Sequence, residues 1–319
     1  MRSEEELKNV MRNQSLPKNP LTTDEYDYQV VQEPLFNRDG KPVMIGKSPI
    51  VGNFRADNNV CLGTATEKYE IVNNGRIVEA VEEALSALNI TDYETDMRVA
   101  ADGARFYGVY DFPSVVKPIA VGDDAGMRIT LRNSFDRSCG VNWQIGIRRL
   151  VCLNGMMSLV TDTNLSKRHS VKLTLDFMKT AIKECELKFE SSVGGLKVLA
   201  ERPVSEDQGT LILDNLAIKQ VLSEQMKDSI VCEWLNPSRD NTVNGNFDRN
   251  LYNVYNAATW VLASGRNDNA TENKRFEQSR RTSTNVLRHL TKAAEKDAHF
   301  ATLTAAIPVK EKVAEVVTL

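Results

Sequence analysis

Residues 126–153 read GMRITLRNSFDRSCGVNWQIGIRRLVCL. Met127, Ile129 and Leu131 alternate with Arg128, Thr130 and Arg132, the period of a strand with one apolar and one polar face. The connection Asn133–Ser138 is rich in turn formers. Val141–Leu153 returns as a strand with Trp143, Ile145 and Ile147 on one face. The stretch therefore predicts a long antiparallel hairpin, with Arg128, Thr130 and Arg132 together on one side. Five arginines fall within it (Arg128, Arg132, Arg137, Arg148, Arg149) against a single acid, Asp136.

Upstream, Met97–Asp111 also alternates and contains Asp102-Gly103, a hairpin signal. Ile77, Val81, Leu85 and Leu88 recur at helical spacing, which predicts an amphipathic helix over Arg76–Leu88. Val60–Thr66 reads as a strand that Tyr69–Val72 extends. Residues 1–59 read as an N-terminal extended arm that holds one hairpin turn at Asp39-Gly40. Downstream the periodicity is helical: Leu165–Phe189, Asn215–Leu235, Arg249–Ser264 and Thr271–Phe300, with Ser191–Gly209 read as a loop. The expected fold is α+β, an antiparallel β-sheet built on the long hairpin and backed by helices, with a helical C-terminal half. The expected division is an arm to residue 59, a core over 60–300 and a flexible tail over 301–319.

The totals constrain function weakly. The chain has 319 residues, 40 Lys+Arg against 43 Asp+Glu, and a net charge of -3. That excludes a uniformly basic nucleic-acid coat but not a local basic patch, since net charge hides distribution. Seven acids between Glu4 and Glu33 offset arginines gathered elsewhere. No window approaches about 18 apolar residues, so no membrane span is expected. The N-terminus is charged and lacks the apolar stretch of a signal peptide. Five scattered cysteines without C-x-x-C spacing argue against a disulfide framework or zinc cage, and the expected location is a reducing cytoplasm.

Catalytic signals are poor. His169, His289 and His299 stand near no nucleophile elbow, and no zinc-hydrolase motif is present. Gly40–Ser48 resembles a phosphate-cradling loop but has five residues between its glycines, where the motif needs four. It reads as a hairpin turn. Asp123-Asp124 pairs two carboxylates, as a Mg²⁺ site does, yet glycines flank it and a turn is the plainer reading. Asp92, Glu94 and Asp96 alternate and are read as surface residues. Asn253 and Asn256, interleaved with aromatics at helical spacing, read as locks of helix packing. The arginines of the last long helix read as a solvated face, with Arg280 and Arg281 kept as candidates for contact.

The basic positions point to phosphate. Arginine forks match phosphate oxygens, and Phe135 and Trp143 have the ring faces that stack on bases. Lys167, Arg168 and Lys172 begin the next expected helix, where free N–H groups and the macrodipole favour anions. The competing reading is a strand face with Arg packed over the core and Trp143 inside it. Both readings stand on the sequence.

Three blocks carry a resemblance: Gly63–Asn74 (GTATEKYEIVNN), Leu131–Ser138 with Arg149–Gly155, and Asn250–Thr259 (NLYNVYNAAT). Arg168-His169-Ser170 stands where a basic-His-Ser/Thr step belongs. In this order, over about residues 60–290, the chain resembles the phage/plasmid-like family called domain of unknown function 932. It departs from that pattern at Asp136-Arg137-Ser138, where the family often has Asp-Gly-Ser. The resemblance implies a phage or mobile-element protein with no assigned enzyme activity. It is also distantly similar to single-strand annealing recombinases of the Red-beta and Erf types. That similarity implies rings or filaments that hold single-stranded DNA in a basic groove on a sheet, without ATP. The expected function is thus ATP-independent single-stranded DNA binding and annealing by a homo-oligomer. Arg128, Arg132, Arg137, Arg148, Arg149, Lys167, Arg168 and Lys172 are the phosphate contacts, and there is no cofactor and no catalytic residue. The alternatives are a non-enzymatic protein-interaction factor, such as a host-defence inhibitor, and a metal-dependent nuclease centred on Asp123 and Asp124.

Overall fold

The computed structural model describes residues 23–149, 157–159, 165–167, 169, 182, 184–264 and 272–306. Two compact units divide the chain, Met1–Gly194 and Gly195–Leu319. The fold is α+β, with antiparallel sheets in the first unit and helices in the second.

The first unit opens with a short helix, α1 (Thr23–Tyr26), and strands β1 (Val30–Pro34), β2 (Met44–Ile45), β3 (Ser48–Arg55) and β4 (Cys61–Thr66). β3 is the hub of this small sheet: it pairs antiparallel with β1, β2 and β4. The expected arm is therefore partly folded, and the boundary at residue 60 falls inside a sheet. The turn at Asp39-Gly40 forms as expected, with Gly40 at φ 72 and Asn37 N–H donating to Lys41 O across it at 2.8 Å. The glycine-bounded Gly40–Ser48 segment is a hairpin leading into β3.

Helix α2 (Asn74–Ala87) follows. Ile77, Val81 and Leu85 are fully buried, each contributing about 1.5–3 kcal/mol by leaving water. The main sheet comes next: β5 (Glu94–Ala100), β6 (Arg105–Ala120), β7 (Asp123–Ser134), β8 (Val141–Arg149), β9 (Met157–Leu159) and β10 (Leu165–Lys167). Its order is β10-β8-β7-β6-β5, with β9 also on β8. β7 and β8 are the long hairpin of residues 126–153. Asp102-Gly103 turns β5 into β6, with Asp102 at φ 56. The expected helix from Leu165 begins instead as a strand: Leu165, Ser166 and Lys167 pair with Trp143, Asn142 and Val141. Pairing to a waiting strand edge outweighs local helical periodicity there.

The remaining helices are α3 (Cys185–Glu201), α4 (Glu206–Ile218), α5 (Glu224–Leu235), α6 (Leu251–Ser264), α7 (Glu272–Glu295) and α8 (Asp297–Thr304). The loop expected over 191–209 is mostly helix. Buried Val193, Leu196 and Leu199 recur at three-residue spacing and carry α3 through Gly194-Gly195 despite the poor propensity of glycine. α4 starts at a capping box of Ser205 and Gln208, which stabilises a helix start by about 0.5–2 kcal/mol. The helix expected over 215–235 is two helices, broken where Gln220 takes φ 58. In α6 the asparagines are buried and hydrogen-bonded, but their bonds stay within the helix and the residues that lead into it. Asn253 Nδ2 donates to Asp248 O and Asn256 Nδ2 to Asn253 Oδ1, both at 2.8 Å. α8 occupies the start of the expected tail, and residues 307–319 lie outside the described residues.

Candidate functional site

The two faces of the main sheet differ in kind. Register places Met97, Phe106, Tyr110, Phe112, Met127, Ile129, Leu131, Trp143, Ile145 and Ile147 on one face. All are buried. The other face carries Asp96, Asp111, Arg128, Thr130, Arg132, Gln144 and Arg148. These are buried too, with Arg128 at 7%, Arg132 at 2% and Arg148 at 1% exposure. The alternation read from the sequence is present, but its polar side is not solvated.

An ion-pair triad organises that polar face. Asp111, in register with Arg128, accepts from Arg128 Nε at 2.5 Å and also from Arg128 Nη2. Arg148 Nη1 donates to the same carboxylate at 3.1 Å. Burial first, and then the charge of Arg128, pull the Arg148 guanidinium down to about 10, so it still carries its proton at neutral pH. Arg132 lies with its guanidinium carbon 5.7 Å from the centre of the Tyr107 ring, the strand neighbour in register. Between these rungs, Thr130 and Gln144 pair in register. Their Oγ1 and Oε1 atoms are buried without a hydrogen-bond partner among the described residues. The three buried guanidiniums thus share this face with the buried carboxylates of Asp96 and Asp111 and with the half-buried Glu94, in register with Asp111. Buried polar atoms are normally satisfied, and exceptions ask for a reason.

The eight sequence-derived phosphate contacts separate into groups. Arg128, Arg132 and Arg148 come together on the polar face, but buried. Arg137 is exposed in the β7–β8 turn. Arg149 and Lys167 stand in register with Ala125 and Val141, one step out of phase with the other three. Arg168 and Lys172 lie outside the described residues. Phe135 and Trp143, considered for base stacking, are 0% and 1% exposed and belong to the core. Asp96, read as a surface residue, is 3% exposed and accepts from Arg98 Nε at 2.9 Å. Asp111 was missed. Its signal was its place at the end of the alternating stretch 97–111, in the phase opposite to Phe106. Asp123 is buried and begins β7, and among the described residues no three His, Cys, Asp or Glu side chains gather as a metal site.

Two of the family-like blocks, Gly63–Asn74 and Leu131–Ser138, meet elsewhere, around the β7–β8 turn. Asn53 Nδ2 donates to Phe135 O at 2.7 Å and Tyr69 OH to Ser134 O at 2.5 Å. Asn133 Nδ2 bridges Val72 O and Asn74 Oδ1, each at 2.8 Å. His169 stacks on Tyr69 with centroids 4.6 Å apart, and its Nδ1 lies 3.0 Å from Glu70 O. Burial holds that imidazole below its ordinary pKa, so Nδ1 carries the proton and donates to the carbonyl. Burial alone would push the Asp136 carboxyl up, but bonds from Ser138 and Arg105 outweigh it and hold the carboxyl low. Arg137, at the position where the family pattern has glycine, takes φ 65. The left-handed turn that a glycine would adopt freely is kept here by an arginine, at a cost of about 1–2 kcal/mol.

An antiparallel sheet with one apolar and one buried, arginine-rich face, tied to a helix by asparagine side chains, defines an α+β protein whose candidate site lies on a sheet face. The family model described as Domain of unknown function (DUF932) matches residues 61–307. The chain belongs to that family. No curated protein and no solved structure matches it. No described helix is long and apolar enough to cross a membrane.

Proposed function

We propose that the polar face of the main sheet binds single-stranded DNA, and that the protein is a phage or mobile-element annealing factor acting without ATP as a homo-oligomer. One observation carries the reading: three guanidiniums, Arg128, Arg132 and Arg148, gather on a single sheet face that also holds unspent hydrogen-bonding oxygens on Thr130 and Gln144. Guanidinium forks hold phosphate oxygens, and the two free oxygens accept from base amino groups. Annealing asks for backbone neutralisation and base presentation, so the reading needs no catalytic residue. The three inner arginines are buried. DNA therefore first meets exposed Arg98 and Arg137.

The test is fluorescence anisotropy of a labelled 20-mer over a range of salt concentrations. Log K should fall with log salt by about 0.7 for each phosphate contact. The double variant Arg98→Gln, Arg137→Gln should bind more weakly with a shallower slope. Absence of binding at low salt, or binding indifferent to salt, overturns the proposal. A second reading, a protein-interaction factor, draws on the exposed apolar side chains Phe36, Met44 and Ile45 at the tip of the N-terminal hairpin. On that reading the arginine variants leave activity unchanged.

A further inference from the structure

The helical unit carries cations that the sheet does not use. Arg288 and Lys292 stand four residues apart on α7, and Lys296 follows after four more, at the junction with α8. At 1.5 Å per residue that spacing is about 6 Å along one helix face. Lys219 joins them from the C-terminal cap of α4. All four side chains are exposed. Arg288 donates to Asn285 Oδ1 at 2.6 Å; among the described residues none of the four pairs with a carboxylate. Other cations of the same unit are neutralised: Arg202 by Asp297 at 2.7 Å, Arg249 by Glu206 at 2.5 Å, and Lys227 by Asp228 at 2.8 Å.

Two histidines close the cluster. His289 of α7 and His299 of α8 stack with ring centroids 5.8 Å apart and planes 15° apart. Nδ1 of His289 and Nε2 of His299 are buried without a partner among the described residues. Burial, then the charges of His299, Arg288, Lys219 and Lys292, hold His289 below its ordinary pKa. Burial, then Lys292, Lys219 and Lys296, do the same to His299. Of the acids on the packed elements, Asp214 is within 3.5 Å of Lys227 and Asp297 is held by Arg202. Glu295 is exposed at the end of α7.

We propose that this junction of α4, α7 and α8 is a phosphate-binding surface for a nucleic-acid strand, contributed by the helical unit independently of the sheet arginines. It rests on the nucleic-acid reading above and adds a second contact to it. A solvated helix face ordinarily mixes signs at four-residue spacing, because like charges there cost stability. This line keeps one sign for two successive steps. Cations set out in a row suit a linear polyanion better than a single phosphate, which convergent groups would hold. A phosphate beside the stacked imidazoles favours their charged form, so binding takes up protons and tightens as pH falls.

The experiment is 20-mer anisotropy on the full chain across salt and between pH 7.5 and 6. Changing Lys292→Gln with Lys296→Gln should make the slope of log K against log salt shallower by about 1.4, two contacts at about 0.7 each. Changing His289→Gln with His299→Gln should flatten the pH response, which a merely structural role of the lysines would not do. An unchanged slope in the lysine pair overturns the surface. A wild-type chain that binds no oligonucleotide at low salt overturns it together with the nucleic-acid reading. Weakened binding in the lysine pair alongside an unaffected Arg98→Gln, Arg137→Gln pair supports this surface and removes the sheet contact.

Discussion

Replacing Asp111 by Asn tests what the buried triad is for. The carboxylate is 1% exposed and holds two guanidiniums; Asn fills the same volume but removes the charge. Breaking a buried pair by removing one partner costs about 3–5 kcal/mol, because the other charge stays buried without compensation. One power of ten corresponds to about 1.36 kcal/mol. Backbone amides of Phe106–Phe112 and Met127–Ser134, on the strands flanking the triad, should therefore exchange with deuterium about two to four powers of ten faster. Peptide-resolved exchange reads this in the sheet alone, which matters in a chain of two compact units where one unfolding midpoint is ill defined. Less than a tenfold change would refute the view that the pair is truly desolvated. A companion variant, Arg128→Met with Asp111→Leu and Arg148→Met, replaces the triad by apolar groups of similar size. Such exchanges are often neutral or stabilising, so protection should return to within tenfold of wild type. That variant separates fold from function: it keeps the sheet and deletes two of the three inner arginines. If it still binds the 20-mer as wild type does, Arg128 and Arg148 are structural.

Two further outcomes follow from the region around the β7–β8 turn. Gly63→Ala places a Cβ 2.6 Å from Asp136 Cα and 2.9 Å from Phe135 O. Backbone must move, and stability measured by urea unfolding should fall by about 1–3 kcal/mol. His169 is buried and its pKa is depressed, so between the folded value and the ordinary value of about 6.5 the unfolded chain binds a proton that the native chain does not. Stability is unaffected above that window and falls as pH drops through it. Denaturation of His169→Gln at pH 7.5 and 5.5 should show a smaller loss than wild type. An equal loss would mean that the ring does not titrate on unfolding.

Pattern was legible where a single period ruled. The hairpin of β7 and β8 and helix α2 follow from spacing, because each buries one side-chain set against one partner. Three features escaped for separate physical reasons. Gly194-Gly195 reads as a breaker, yet packing of Val193, Leu196 and Leu199 carries the helix across it. Leu165–Lys167 is too short for its period to count and is decided by the open edge of β8. Burial of Arg128, Arg132 and Arg148 was illegible because alternation assigns residues to two faces without saying which face is covered. A polar face reads as solvated by default, and only the phase of Asp111 hinted that one arginine pair had a partner across the sheet.

The polar side chains around the β7–β8 turn and the arginines of the sheet face therefore do different work. Asn53, Tyr69, Asn74 and Asn133 spend their hydrogen bonds on backbone carbonyls or on one another, and Gly63 yields space to the turn they surround. What they fix is the conformation of residues 133–138, including the left-handed Arg137, and hence the register in which β8 returns beside β7. A one-residue slip would carry Arg148 to the apolar face and Ile147 to the polar one. These side chains thus act on the candidate site through geometry. Thr130 Oγ1 and Gln144 Oε1, buried on the polar face without a partner among the described residues, stand opposite each other in the register that the turn sets. Ligand chemistry at this face should accordingly fail when the turn is distorted, even with every arginine intact.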